Sequence, residues 1–224
     1  LAGSISDITE WKAAEDRLLH DALHDPLTGL PNRVLFVDRL NQAIEHSKDR
    51  EDYIFAILFL DLDNFKDIND SIGHLVGDQV LIKVAEILAS GLRPLDTIAR
   101  FAGDEFIILL DDIGDRTRIN HVIDWIEVQF ERVIKINNHE IKTSASIGVV
   151  MCNSQDNDSE ELIRNADIAM YAAKAKGKAR AEYYEPSMRL QFLERLNLEI
   201  DLRKAIDSNE LVLHYQPILG LKDR

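Results

Sequence analysis

One apolar segment constrains this chain more than any other. Tyr53-Ile54-Phe55-Ala56-Ile57-Leu58-Phe59-Leu60 runs without a polar interruption other than the Tyr53 hydroxyl, then stops at Asp61-Leu62-Asp63. Such a run, rich in β-branched and aromatic residues, reads as a strand long enough to cross a core sheet with both faces covered. It is far short of the ~18 residues a membrane span needs, so no membrane contact is expected within this chain. The 224 residues are 46% hydrophobic, which supplies a core and rules out intrinsic disorder. At roughly 100–200 residues per domain, that length fits one domain or two.

The elements around this strand mix helix and sheet. A helix over residues 10–24 ends at Asp25-Pro26, with Asp7 or Thr9 available to cap it. A second helix, over 33–46, carries Leu35, Phe36, Leu40, Ala43 and Ile44 on one side. The stretch 61–77 is polar, and a helix over 78–90 that Gly91 stops follows it. Residues 97–101 and 106–110 read as a β-hairpin around Ala102-Gly103-Asp104-Glu105. An amphipathic helix over 116–134 and a strand over 142–150 follow. A further helix runs to Lys176 with Asp158 and Glu161 as a capping pair, and Tyr183-Tyr184 opens a last strand. Beyond these, 189–206 reads as a helix and Leu211–Gln216 as a strand stopped by Pro217. Strands outnumber simple βαβ alternation, so the expected class is α+β, a mixed and mainly antiparallel sheet with flanking helices.

Lys and Arg total 26 against 40 Asp and Glu, a net charge of −14. That excludes a general nucleic-acid binder, which needs a basic face. Cys152 is the only cysteine, so no internal disulfide is possible, and a reducing cytoplasm fits. It reads as a buried small hydrophobe. No signal peptide is visible and the first residue is Leu, so the chain reads as a piece of a longer protein.

Three groups of residues carry chemistry. Period two puts Asp61 and Asp63 on one side of the apolar strand. Asp104 and Glu105 sit at the hairpin turn. If the hairpin pairs beside the first strand, Asp61, Asp104 and Glu105 converge, and converging carboxylates call for a cation. Oxygen donors of this kind select Mg²⁺ or Mn²⁺. No EF-hand fits, because the sixth residue is Lys66 counting from Asp61 and Ile72 counting from Asp67. The third group is basic: Lys174, Lys176, Lys178 and Arg180 at a helix end. Two readings stay open for it, complements to the helix C-terminus or a clamp on phosphates. Carboxylates plus a separate cationic cluster point to a nucleoside triphosphate, yet the chain has neither a P-loop nor a G-x-G-x-x-G turn. His20 and His24 share a helix face with no third ligand near and read as surface residues.

These residues coincide with a known family. The stretch 61–78, with Asp61-Leu62-Asp63-Asn64-Phe65-Lys66 and Gly73-His74-Leu75-Val76-Gly77-Asp78, resembles the GGDEF family of diguanylate cyclases. So do Asp25-Pro26-Leu27-Thr28-Gly29-Leu30-Pro31-Asn32-Arg33, Arg100-Phe101-Ala102-Gly103-Asp104-Glu105-Phe106 and Ala166-Asp167-Ile168-Ala169-Met170-Tyr171-Ala172-Ala173-Lys174. The resemblance implies a nucleotidyl-cyclase-like palm. It implies an enzyme, a nucleotidyltransferase that condenses two GTP into cyclic di-GMP and releases two pyrophosphates. It implies metal ligands at Asp61, Asp104, Glu105 and the Leu62 carbonyl for two Mg²⁺ (or Mn²⁺). Asp104 and Glu105 become the catalytic acids, with Asp104 helping to deprotonate the attacking 3′-hydroxyl. Asn69 and Asp78 match guanine readers, and His74 a substrate contact. Gly103 matches the close approach of backbone to the α-phosphate, and Lys174 and Lys178 a phosphate clamp. Arg93-Pro94-Leu95-Asp96 resembles the family's R-x-x-D inhibitory site, where Arg93 and Asp96 would hold product as an allosteric inhibitor. Because each unit holds one GTP, a homodimer is implied for catalysis.

The signature departs from the family at Ala102, where Gly is usual. A negative φ there tolerates the methyl group, whereas a positive φ would cost roughly 1–3 kcal/mol. The ends also carry resemblances. Residues 1–24 look like the exit of a PAS domain and its signalling helix, and 25–185 like the GGDEF domain. Residues 186–224 look like a linker helix and the start of an EAL phosphodiesterase domain, cut short before its catalytic acids. The alternative reading is a catalytically degenerate, GTP-binding GGDEF module that controls an adjacent EAL domain. A third is a cyclase that makes a cyclic mononucleotide within one site.

Overall fold

The computed structural model describes residues 9–50, 52–154, 158–208 and 210–216. Two compact units divide the chain, Leu1–Glu185 and Pro186–Arg224. In the first, α1 (Thr9–Leu23) and α2 (Arg33–Asp49) precede the apolar strand, β1 (Phe55–Leu62). Then come α3 (Phe65–Ile72), α4 (His74–Ser90), the hairpin β2 (Thr97–Ala102) and β3 (Glu105–Leu110), and α5 (Arg116–Phe130). A small hairpin, β4 (Ile134–Ile136) and β5 (His139–Ile141), leads to β6 (Ala145–Cys152), α6 (Ser159–Ala175) and β7 (Arg180–Tyr183). The sheet order is β2-β3-β1-β6-β7, antiparallel except for the β6–β7 pair. This is the expected mixed, mainly antiparallel α+β architecture, with β1 at its centre.

Every residue of β1 is buried, because helices cover both faces of the sheet. Alternate side chains divide between two cores. Ala56, Leu58, Leu60 and Leu62 join residues of α4 and α5, whereas Phe55, Ile57 and Phe59 join residues of α2 and α6. β3 divides the same way, with Phe106, Ile108 and Leu110 in the first core and Ile107 and Leu109 in the second. Cys152 is fully buried in the second core.

Several elements differ from the sequence reading. The polar stretch 61–77 contains α3, and α4 starts at His74 rather than Asp78. Asn64 in the left-handed region (φ 58°) turns the chain off β1, and Gly73 (φ 90°) separates the two helices. The apolar positions of α3, Phe65, Ile68 and Ile72, stand at helical spacing, but they are only three among eight residues. The helix from Arg116 ends at Phe130, and Ile134–Ile141 turns back on itself at Asn137 (φ 53°), a two-residue hairpin in place of a last helical turn. The strand expected over 142–150 lies at 145–152, and the last strand begins at Arg180 rather than Tyr183. On α1, Leu18, Leu19 and His20 are exposed, whereas His24, just past the helix end, is half-buried with its ring stacked on that of His20. The capping candidate Asp7 lies outside the described residues.

The second unit consists of α7 (Pro186–Asp207) and an extended segment. Leu211–Gln216 forms no strand, because no other strand pairs with it and its side chains are exposed. Pro217 lies outside the described residues. Among the described residues, no helix is long and apolar enough to cross a membrane.

One glycine sets how closely α6 approaches the sheet. A Cβ on Gly148 would lie 1.9 Å from the Ala166 carbonyl oxygen and 2.2 Å from the Met170 nitrogen, both backbone atoms that cannot yield locally. Gly148→Ala is therefore expected to lower stability by about 1–3 kcal/mol or more, read as the midpoint of denaturant unfolding. An unchanged midpoint would contradict this close packing.

Candidate active site

The strand register builds the site. Asp61 continues the series Phe55, Ile57, Phe59 and so faces α6, and Glu105 continues Ile107 and Leu109 onto that face. The two acids are direct partners across the β1–β3 pair, and Ser146 partners Asp61 on the other side, in β6. Directly opposed residues of an antiparallel pair have Cβ atoms about 4.5–5.5 Å apart. From α6, Lys174 places its Nζ 2.7 Å from Asp61 Oδ2. The Leu62 N–H donates to the carbonyl oxygen of Asp104 (3.3 Å), which ties the signature turn to the end of β1.

Burial raises the Asp61 pKa above the usual carboxylate range. The Lys174 ammonium opposes that shift, and the charges of Asp104 and Asp63 add to it. Glu105 is raised too, by burial first and then by the charges of Asp167, Asp61 and Asp104, with Lys174 again opposing. The sequence reading brought Asp61, Asp104 and Glu105 together as three converging carboxylates. In the structure, no three acidic, His or Cys side chains among the described residues close into a metal-holding group. The charges of Asp61 and Asp104 both act on Glu105, and the Lys174 ammonium supplies the counter-charge on Asp61. The donor set nevertheless fits a hard divalent cation. It offers a buried carboxylate, a second acid beside it on the same face, and an ammonium already in place as a stand-in cation.

Asp63 has a different task from Asp61. It lies on the α6 side, as period two requires, but its carboxylate is fully engaged. Oδ2 accepts from Ser144 Oγ (2.6 Å) and from the Ala179 N–H (3.0 Å). Oδ1 accepts from Ser146 Oγ (2.7 Å). It therefore anchors the turn between α6 and β7, where Lys178 (φ 63°) and Ala179 (φ 49°) are both left-handed. That conformation costs a non-glycine residue roughly 1–2 kcal/mol, so the anchor has strain to offset. Lys178 Nζ donates to Asn64 Oδ1 at 2.7 Å, which joins the same turn to the start of α3. Lys176 pairs with Glu182 at 2.7 Å, and Arg180 Nε donates to the Lys178 carbonyl at 3.2 Å. The basic cluster thus divides, and Lys174 alone of these four reaches Asp61.

The signature turn is held from outside by a residue that sequence reasoning did not single out. Arg100 donates from Nε (2.9 Å) and Nη2 (2.7 Å) to the Gly103 carbonyl, and its Nη1 lies 3.0 Å from both oxygens of Asp25. Asp25 also accepts from the Thr28 N–H and hydroxyl. Burial alone would raise the Asp25 pKa, but Thr28 and Arg100 outweigh it and hold it low. Position was the available signal, since Arg100 and Asp25 each stand inside a quoted motif. Gly103 takes φ 50°, as its residue type allows, whereas Ala102 is not among the positive-φ residues. The methyl group at Ala102 is therefore tolerated by the backbone.

The remaining candidates fall into two places. Asn69 on α3 faces Gly77 on α4 so closely that a Cβ there would lie 1.9 Å from Asn69 Oδ1. That amide oxygen is buried without a hydrogen-bond partner. His74 and Asp78 sit exposed on the first turns of α4. Arg93 and Asp96 lie elsewhere, on the loop before β2. The Asp96 carboxylate is fully buried and accepts from the Arg93 N–H (2.9 Å), Arg93 Nη2 (3.2 Å) and Arg118 Nη2 (2.9 Å). The Arg93 side chain is two-fifths exposed, and its Nη2 also donates to the Asp111 carbonyl (2.8 Å).

With this geometry in hand, the comparisons with known proteins are direct. The family described as diguanylate cyclase, GGDEF domain, matches residues 22–180, and the chain belongs to that family. A bifunctional diguanylate cyclase/cyclic di-GMP phosphodiesterase, MucR of Pseudomonas aeruginosa, is 43% identical over 209 residues, covering 93% of this chain and 30% of MucR. The chain spans roughly a third of the length of the curated relatives it matches. Among solved structures, the GGDEF domain of PA1120 from P. aeruginosa aligns with a TM-score of 0.72 at 33% identity, covering 76% of this chain and 99% of that one. The GGDEF domain of DgcB from Caulobacter crescentus, solved in complex with cyclic di-GMP, aligns with a TM-score of 0.67 at 28% identity, covering 73% and 96%.

The raised acids give a signed prediction. A carboxyl whose folded pKa lies above its unfolded value subtracts stability above the folded pKa, and this penalty fades as pH falls toward the unfolded value. Glu105→Gln is therefore expected to unfold at a higher temperature than the parent protein at neutral pH, with the gap closing near pH ~4. A lower melting temperature at neutral pH would contradict the electrostatic description.

Proposed function

We propose that this chain is a diguanylate cyclase domain that condenses two GTP into cyclic di-GMP with release of two pyrophosphates. The observation that carries the reading is the pairing of Asp61 with Glu105 on the α6 face, capped by Lys174. Asp61, the Leu62 carbonyl, Asp104 and Glu105 would hold Mg²⁺ or Mn²⁺, two per site. Held by these residues, the metal would supply positive charge to the triphosphate.

The chain's own groups do the rest. Asn69, through its amide, and Asp78, through its carboxylate, read the guanine edge, and His74 flanks the substrate. Lys174 and Lys178 hold phosphate oxygens as compact point charges. Gly103 admits the α-phosphate close to the backbone. Asp104 accepts the proton of the 3′-hydroxyl. The 3′-oxygen then bonds to the α-phosphorus of the facing GTP, and the bond to pyrophosphate breaks. Two such transfers close the ring, so two copies must face each other. The exposed Leu18 and Leu19 of α1 offer an apolar face for that homodimer.

Product regulates through Arg93, whose partly exposed side chain forks onto a phosphate or guanine edge, while Asp96 fixes it from beneath. The reaction belongs on the cytoplasmic side, where GTP is found. Upstream and downstream we read PAS and EAL neighbours in the parent protein.

Incubation of the protein with GTP and Mg²⁺ is expected to yield cyclic di-GMP and two pyrophosphates per product, read by mass spectrometry. GTP binding without turnover would instead establish a regulatory module for an EAL phosphodiesterase. A cyclic mononucleotide would establish single-site cyclisation. In the same assay, Arg93→Ala is expected to relieve inhibition by added cyclic di-GMP, and unchanged inhibition would remove Arg93 from the regulatory site.

A further inference from the structure

The contact between Lys174 and Asp61 bears on how a metal would enter the site. Lys174 Nζ lies 2.7 Å from Asp61 Oδ2, with side chains only 30% and 12% exposed. Its charge also acts on Glu105 and Asp167, so one ammonium serves several carboxylates at once. The other lysines of the cluster are held elsewhere, Lys178 on Asn64 and Lys176 on Glu182. Ser146 and Glu105 flank Asp61 across the two strand pairs, and the strand itself is buried.

A divalent ion and an ammonium repel each other strongly at the same carboxylate, and partial burial weakens solvent screening. A bare ion that takes Asp61 must therefore expel Lys174 while bringing no anion of its own, which leaves the ammonium only the acids already near it, Glu105 and Asp167. An ion that arrives on a triphosphate brings that anion, because its phosphate oxygens can accept the displaced ammonium. We propose that Lys174 is a resident counter-cation at Asp61, which bars the bare divalent ion and couples metal entry to nucleotide entry. This rests on the reading of Asp61 as a metal ligand. Lys174 thus acts before the chemistry, as a positioning and selecting residue. Metal and nucleotide each raise the other's affinity, by the reciprocity that any such coupling obeys.

The test is Mn²⁺ binding, read as loss of the free-ion electron paramagnetic resonance signal, with and without a non-reactive GTP analogue. Bare Mn²⁺ is expected to bind the parent protein weakly and Lys174→Met at least about tenfold more tightly, since Met keeps the apolar stem and removes the charge. The analogue is expected to raise Mn²⁺ affinity strongly in the parent protein and much less in the variant. Lys174→Gln, a polar replacement, should behave as Lys174→Met does, which guards against a packing fault in either. Asp61→Asn separates the two layers of argument. If it leaves Mn²⁺ binding with the analogue unchanged, the metal reading itself fails. If it abolishes that binding while Lys174→Met and Lys174→Gln bind bare Mn²⁺ no better than the parent protein, the counter-cation role fails and the metal reading stands.

Discussion

The carboxylate of Asp63 joins three segments that are far apart in sequence. It takes hydroxyl hydrogen bonds from Ser144 and Ser146 and the N–H of Ala179, so the end of β1, the start of β6 and the turn after α6 share one buried anion. Removing any one donor leaves part of a buried charge unsatisfied, at a cost of about 1–3 kcal/mol. The rest of the site inherits its geometry from this junction. Asp61 lies two residues before it, Asn64 and α3 follow it, and the left-handed pair Lys178–Ala179 is pinned by it. A second clamp, Arg100 between Asp25 and the Gly103 carbonyl, sets the turn that carries Asp104.

Between these fixed points the acids are held in an unfavourable arrangement. Asp61 and Glu105 share one face, both with raised pKa, and the fold tolerates them through a single lysine. This is the common pattern of a site whose residues serve binding rather than stability. The surrounding sheet is covered on both faces, with Gly148 packed against α6.

The parts of this arrangement that were legible in the sequence are those with a strong local signal. The length and apolarity of the run ending at Leu60 mark a buried central strand, and Gly103 between two apolar strands marks the hairpin. Helix α3 was not legible, since its eight residues are mostly polar and its start depends on a left-handed Asn64. The β4–β5 hairpin left little signal, since each of its strands has only three residues, too few for the alternation of Ile134 and Ile136 to stand out from the helix before them. Leu211–Gln216 shows the reverse failure, a good strand pattern with no strand to pair with. Asp63 and Asp61 look alike in sequence, and only the positions of Ser144, Ser146 and Ala179 separate an anchor from a candidate ligand. The pairing of Lys174 with Asp61 spans more than a hundred positions and leaves no local trace.

The central claim is that the Asp61 end of β1 is a cation seat that a metal-bound nucleotide takes over from Lys174. A crystal of the chain with Mn²⁺ and a non-reactive GTP analogue tests it directly, through anomalous scattering from the metal. The account predicts an anomalous peak on the Asp61 carboxylate, with Lys174 Nζ moved from Asp61 onto phosphate oxygens. A bound nucleotide with its metal away from Asp61, and Lys174 still on that carboxylate, would contradict it.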